Sequence, residues 1–186
     1  INFLSISGQT VLHKPEIKLT IQLGNLKRIS NSLKINCVGN FRIKDISKGG
    51  QGAPIGAYYH KYLLQKIDSK ALIVNFGGVS NFSILKNNKV ISSDLGPANS
   101  ISDDLTNKYY YKKYDKFGKF AAMGSPNKRI IYNFSNDIFF KKKFPKSLDR
   151  NYFNKYLKKL CKIDKNDSIC TSIHLIIKSI EILLKE

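Results

Sequence analysis

Asn75-Phe76-Gly77-Gly78-Val79-Ser80-Asn81, with Asp94-Leu95-Gly96-Pro97-Ala98-Asn99 behind it, is the stretch from which the fold is read. Residues 71–76 are an apolar run of strand length that stops at a glycine pair. Residues 82–85 read as a second strand, and Asn87-Asn88 suits a tight turn because Asn tolerates the left-handed backbone region. Residues 89–93 read as a third strand ending on Asp94. The pattern predicts a three-stranded antiparallel meander with a glycine bend and a carboxylate at the same end, since one up-and-down excursion separates them. Backbone amides without side chains approach a phosphate closely, and a carboxylate beside them can take a proton. The same residues also suit a plain glycine turn and a helix-capping Asp, and so short a motif does not choose between them.

The 186 residues suffice for one sizeable domain or two lobes, and 42% hydrophobic content supports a core. No apolar run approaches membrane-spanning length, so no membrane partner is expected. The chain opens on Ile1 and its single methionine is Met123, so it is read as a piece of a longer protein. The formal charge of +19 raises nucleic acid as a partner. The excess is almost all Lys, however; the arginines are Arg28, Arg42, Arg129 and Arg150. Arg is the residue that forks onto phosphates and bases, and an AT-rich coding bias alone gives abundant Lys, Asn and Ile. A solvated Lys-rich surface is therefore the reading, with a basic nucleic-acid-binding module kept as the alternative. Cys37, Cys161 and Cys170 form no close pair, so no disulfide framework follows and a reducing cytoplasm is the expected home. His13, His60 and His174 show no metal-ligand spacing, and no metal-binding residue is assigned.

In chain order, residues 1–6 read as a buried strand and Ser7-Gly8-Gln9-Thr10 as a polar loop at its end. Gln9 and Thr10 are candidates to hydrogen-bond a polar substrate there. Residues 19–23 alternate like a strand, Asn25 suits the cap of a helix over 26–32, and 36–38 read as a strand. Gly49, Gly50, Gly52 and Pro54 mark a shaped loop. Arg42 and Asp45 flank it, either to bind an oxyanion and a sugar hydroxyl or to pair with one another and hold the loop. Residues 55–67 read as helix, and a boundary is placed between 68 and 69. Asn99 or Ser100 is expected to cap a helix to about residue 110, with Asp103 and Asp104 in its first turn. Further helices are expected over about 127–141, over 150–160, and from a cap at Asp167 or Ser168 to the end. In the last, Ile169, Ile173, Ile176, Ile177, Ile180 and Leu183 form a core-facing stripe.

Taken as an ordered series, these segments resemble anhydro-N-acetylmuramic acid kinase. Residues 7–15 resemble the family's HGQTVxHxP, 20–24 its TxQxG, 40–45 its DFRxxD, and 49–54 are its GGQGAP unchanged. Residues 75–81 resemble NIGGIAN, 94–99 resemble DTGPGN with Asp103 at the next family Asp, and 145–147 resemble PPKS. The resemblance implies an α/β, actin-like ATPase or sugar-kinase fold, with RNase H-like lobes around a cleft, here incomplete. Residues 1–68 would be the later part of the first lobe and 69–186 most of the second. It implies ATP-dependent hydrolytic opening of 1,6-anhydro-N-acetylmuramic acid with phosphorylation of O6, in recycling of cell-wall sugar. Asp94 would be the general base for water. Gly77, Gly78, Asn81 and Gly96 would meet the nucleotide, with Mg²⁺ neutralising charge. Gln9, Thr10, Arg42 and Asp45 would lie on the sugar side. The implied partners are the amino sugar and ATP, and a homodimer is left open.

Four positions depart from the family pattern: Ser7 for His, Asn40 for Asp, Leu95 for Thr and Ala98 for Gly. Ala98 would strain its loop if that backbone required positive φ. The family's first phosphate loop, GTxSGTSxDG, is not in this sequence, so these residues alone are expected to be inactive. A degenerate, non-catalytic homologue is the second alternative. An RNase H-like nuclease using Asp94, Asp103 and Asp104 would need a further carboxylate cluster on the first strand, and none is seen.

Overall fold

The computed structural model describes residues 1–68, 70–149 and 151–185. Ser69, at the expected boundary, Arg150, at the start of an expected helix, and Glu186, at the end of the last, lie outside the described residues. The chain is a mixture of helices and small sheets, divided into two compact units, Ile1–Tyr58 and Tyr59–Glu186.

The first unit holds β1 (Phe3–Ile6), β2 (Gln9–Lys14), β3 (Leu19–Leu23), α1 (Leu26–Leu33), β4 (Asn36–Gly39) and α2 (Phe41–Ser47). β1 pairs in parallel with β4, and β2 with β3 antiparallel. Gln9 and Thr10 therefore open a strand and do not lie in a loop: their register partners are Leu23 and Gln22. Asn25 caps α1 as expected, its Oδ1 accepting the Arg28 N–H at 2.9 Å. Asn40, at φ 59°, enters α2 through the left-handed region, which an Asn side chain tolerates. Ile46 is the one buried large apolar side chain of this unit among the described residues, while Phe3 and Leu23 are each 62% exposed.

The second unit begins in α3 (Ala57–Ile67) and continues with β5 (Leu72–Phe76), β6 (Val79–Lys86), β7 (Lys89–Pro97) and α4 (Asn99–Tyr110). α5 (Lys128–Ser135), α6 (Asn154–Leu160) and α7 (Lys165–Leu183) complete it. The division falls at 58/59, ahead of the expected 68/69, because α3 is tied to the meander. Leu64 is fully buried, His60 Nδ1 lies 2.8 Å from Ser83 Oγ, and Gln65 Nε2 donates to Asn88 Oδ1 at 2.8 Å. The meander itself is as read: β5, β6 and β7 are consecutive and antiparallel, with both Asn87 and Asn88 at positive φ in the turn.

Three helix expectations shift for physical reasons. No side chain caps α4; Ala98, Asn99 and Ser100 instead donate their N–H groups to the Gly77 and Gly78 carbonyls. The helix expected over 127–141 ends at Ser135, because Asp137 accepts the Phe139 N–H and starts a separate 3-10 turn, Ile138–Lys141. α7 starts one turn early, capped by Asp164, while Asp167 accepts the Ser125 N–H.

α7 packs against α4, α5, α6 and β7. Its buried face is Ser168, Ile169, Thr171, Ser172, Leu175, Ile176 and Ser179, and Ile177 of the expected stripe is exposed. The buried serines return their hydroxyls to carbonyls of their own helix, which satisfies them without partners elsewhere. An aromatic cluster of Phe134, Phe139, Phe140, Phe153 and Tyr156 fills the space beside α7.

Asp137 sits buried beside this cluster, accepting the hydroxyls of Tyr152 and Tyr156, each at 2.9 Å, and paired with Lys155. Burial alone would raise its carboxyl, but Lys155 and these hydrogen bonds outweigh burial and hold it below the usual range. Its stabilisation is thus present above the ordinary carboxylate value of 3.8 and is lost as pH falls through the depressed folded value. Asp137→Ala, which takes the acceptor from the Tyr152 hydroxyl and the ion-pair partner from Lys155 and leaves Tyr156 only the Asn133 carbonyl, is expected to cost about 3 kcal/mol in urea unfolding at pH 7. The cost should shrink in acid; an equal cost at pH 7 and pH 2.5 would refute this account.

Candidate functional site

The bend between β5 and β6 and the start of α4 frame an open pocket of 470 Å³, lined by Gly77, Gly78, Val79, Asn99, Ser100 and Asp103. The framing is backbone work: the Asn99 N–H donates to Gly77 O at 3.0 Å, and the Ala98 and Ser100 N–H groups donate to Gly78 O. The Asn99 side-chain amide donates to Phe76 O. These bonds set the positive end of the α4 dipole beside the bend. Asp103, one turn into α4, brings a half-buried carboxylate to the same wall.

Neither glycine of the bend is demanded by the chain's own geometry. Neither has positive φ. A Cβ at Gly77 or Gly78 would meet its nearest atom at 3.4 Å or 3.7 Å, which is ordinary contact. What a side chain would fill there is the pocket, so this is a wall shaped for close approach of a ligand to backbone.

Asp94 stands one step along the sheet. In register, Asn75 of β5 is opposite Asn81 of β6, and Asn81 is opposite Asp94 of β7. Directly paired residues share a face, so two amides and a carboxylate form one polar row, with adjacent strands about 4.8 Å apart. The ladder skips Leu95: Ser80 pairs with Gly96 and Asn81 with Asp94. This bulge lets Leu95 and Gly96 both face inward while Asp94 stays on the outer row.

The carboxylate is held from outside the sheet. The Leu148 N–H donates to Asp94 Oδ2 at 2.7 Å, and the Asp94 N–H donates to Lys146 O at 3.0 Å. Burial pushes the Asp94 carboxyl above its usual range, and the Leu148 amide pulls it partway back. A carboxylate so placed is a stronger base than one in water. Residues 145–147 showed only a motif; their part in seating Asp94 depends on a contact across more than fifty positions of sequence and was not legible there.

Gly77, Gly78, Asn81, Asp94 and Gly96 are thus all brought to one end of the meander, but Gly96 does not line the pocket. It is buried against α7, where a Cβ would lie 2.3 Å from Ser179 Oγ. Its absent side chain serves helix packing. Ala98, also buried, has φ −135°, so the strain expected of it does not arise.

In the first unit, Arg42 and Asp45 do hold the glycine-rich loop, though not by pairing with one another. Arg42 Nη1 donates to Gly52 O and Asp45 Oδ2 accepts the Gly52 N–H, both at 2.7 Å. Beside them the His13 ring lies 3.2 Å from Thr20 Oγ1, which also accepts from Gln22 Nε2 at 2.6 Å. Burial and the Arg42 charge hold His13 below its ordinary value. Arg42 Nε and Gln22 Oε1 are buried without hydrogen-bond partners in the structure, a state that a bound polar ligand would relieve. Gln22 and His13 carry no local signal of a site, because only the β2–β3 register sets His13 beside Thr20, which Gln22 also meets.

The arrangement suits an anionic ligand. A pocket of this size takes a polyphosphate against the glycine wall, and one carboxylate beside it is the sparse protein ligation that Mg²⁺ on phosphates uses. Among the described residues no group of three metal-ligating side chains exists. Comparison with known proteins points the same way. Residues 1–181 match the family described as anhydro-N-acetylmuramic acid kinase. The chain is 38% identical over 156 residues to the anhydro-N-acetylmuramic acid kinase of Rhodopseudomonas palustris strain HaA2, covering 82% of this chain and 42% of the relative. It is 37% identical over 157 residues to that of Haemophilus influenzae, covering 83% and 41%. With the Sulfurimonas denitrificans protein of the same name it shares 36% over 176 residues, covering 92% and 47%. The chain therefore spans about half the length of the curated relatives it matches.

The two kinds of glycine separate by experiment. Gly96→Ala is expected to lose about 2 kcal/mol to overpacking, whereas Gly78→Ala should unfold within about 0.5 kcal/mol of the parent. Urea titration of both variants decides it; equal losses would mean that the bend, too, is shaped by packing.

Proposed function

The chain belongs to the anhydro-N-acetylmuramic acid kinase family, and from that premise we propose that the protein it is part of opens 1,6-anhydro-N-acetylmuramic acid hydrolytically and phosphorylates O6. Asp94 is the general base. Its seat on an outer polar row, with one oxygen tied to the Leu148 amide, is the observation that carries this reading. An attacking water gives its proton to the carboxylate as its oxygen bonds to the anomeric carbon. The bond from that carbon to the bridging oxygen breaks, and this oxygen, O6, takes the phosphoryl group. ATP is the phosphoryl donor: the bond from its γ-phosphorus to the β,γ-bridging oxygen breaks and ADP leaves, and Mg²⁺, when bound, would neutralise phosphate charge. Gly77, Gly78 and the start of α4 would seat the phosphates, and Asp103, in the same lining, would be the carboxylate to hold the metal. Asn81 stands between the glycine wall and the base, with its amide to orient phosphate or water.

The fold we assign is the actin-like, sugar-kinase one. The expected two-lobe assignment is kept with its boundary moved from 68/69 to 58/59, the division between the two compact units. Gln9 and Thr10 are assigned to the sugar side. Arg42 and Asp45 serve that side by holding the Gly52 loop, and Arg42 Nε and Gln22 Oε1 are the atoms left for a hydroxyl or carboxylate of the sugar. No helix among the described residues is long and apolar enough to cross a membrane, and the three cysteines are free, which suits the cytoplasm.

The test is ADP release with and without the anhydro sugar, in the full-length gene product and in a polypeptide of these residues alone. Sugar-dependent release is expected from the first and none from the second. Asp94→Asn keeps an acceptor for the Leu148 amide and is expected to lower turnover by about 10²–10⁴-fold. It should also raise Tm at pH 7. A carboxyl whose folded value is raised adds stability only while protonated, so the parent loses that part as pH rises through the raised value, and the difference should vanish below about pH 3.8. A basic nucleic-acid-binding module would show salt-dependent binding indifferent to Asp94→Asn. That result, with no sugar-dependent release from the full chain, would replace the kinase reading.

A further inference from the structure

We propose that Lys146 is a positioning residue for Asp94, acting through the strap of residues 146–148; this rests on Asp94 being the base. β7 is one of the two edge strands of its sheet, and the strap is clipped along that edge. The Lys146 N–H donates to Ser93 Oγ at 2.8 Å, and the Ser93 hydroxyl and Asp94 N–H both donate to Lys146 O, at 2.9 Å and 3.0 Å. Two residues on, the Leu148 N–H reaches Asp94 Oδ2. The Lys146 side chain anchors this clip. Its ammonium lies 4.2 Å from the Phe144 ring centroid, 4.6 Å from that of Phe139 and 5.9 Å from that of Phe140. It donates to the carbonyls of Phe139 and Lys142, both at 3.1 Å. Phe139 and Phe140 belong to the buried aromatic cluster. An ammonium over ring faces, with carbonyl acceptors, is held by charge and geometry together. One residue thus joins the core of the unit to the peptide that orients the carboxylate.

The consequence is directional. With Oδ2 held by Leu148, the remaining oxygen is fixed in place to receive the proton from water. Releasing the strap frees the carboxylate to rotate and removes the hydrogen bond that favours its charged form. Among the described residues, the titratable and charged side chains carried by the flanking elements include Lys146 and Asp149 of the strap, Lys86 and Lys89 on β6 and β7, and Lys165, Asp167, His174, Lys178 and Glu181 on α7. Burial raises the Asp94 carboxyl and the Leu148 amide lowers it, and Lys146 is joined to that amide through the strap.

The experiment uses Lys146→Met in the full-length enzyme, which keeps the stem and removes the charge. kcat is expected to fall by about 10–100-fold, as a displacement near 1 Å does. KM for sugar and ATP should stay within about twofold, because the ammonium is directed to the Phe139 and Lys142 carbonyls and the residue does not line the pocket. The acid limb of the kcat profile should move to higher pH, as should the Asp94 titration followed by carboxyl carbon NMR. Ser93→Ala, which frees the other side of the clip and keeps the ammonium, should show the same pattern more weakly and serves if Lys146→Met does not fold. Unchanged kcat and Asp94 titration in a folded variant overturn the proposal while an inactive Asp94→Asn leaves the base assignment standing. A fully active Asp94→Asn enzyme overturns both.

Discussion

β7 lies so close to α7 that Gly96 and Ser179 meet with no room for a Cβ between them. Much of the second unit follows from that approach. α7 must present a small side chain there, and it does so with the buried Ser179. β7 must turn both Leu95 and Gly96 inward, which a regular strand cannot do with neighbours, so a bulge absorbs one residue. The bulge then leaves Asp94 in line with Asn81 and Asn75. A helix-packing constraint thereby sets the face on which the carboxylate appears.

The same unit uses backbone groups where side chains would ordinarily serve. α4 has no side-chain cap, and its first amides are satisfied by the carbonyls of the glycine bend. That exchange ties the bend to the helix and leaves the glycine wall bare toward the pocket. The Asp94 carboxylate, likewise, is oriented by a main-chain amide from a distant segment. Backbone partners move little once their elements are packed, which suits groups that must meet a ligand at fixed geometry.

The first unit is organised differently. Its apolar side chains are largely exposed, with Ile46 buried beneath the glycine loop. Order there comes from polar contacts: Arg42 and Asp45 grip the two sides of the Gly52 peptide, and His13, Thr20 and Gln22 link across β2 and β3. Two buried polar atoms left unpaired mark where this network stops.

Residue order alone was enough for the meander, the Asn25 cap and the convergence of the glycine pair with Asp94. These depend on period-two alternation, turn residues and strand length, all local properties. It misplaced Gln9 and Thr10 in a loop, because an exposed hairpin strand has no strong apolar alternation to announce it. It treated Gly96 like Gly77 and Gly78, because a glycine facing a ligand and one facing a helix are written with the same letter. It put one helix over 127–141, because nothing local ties Asp137 to the two tyrosines that lie beyond it in the chain. Local sequence settled which chemical groups are present and which short elements carry them. Packing in three dimensions settled which glycine meets the pocket, which oxygen of Asp94 is held and which amide holds it, since each depends on groups from separate segments meeting in space.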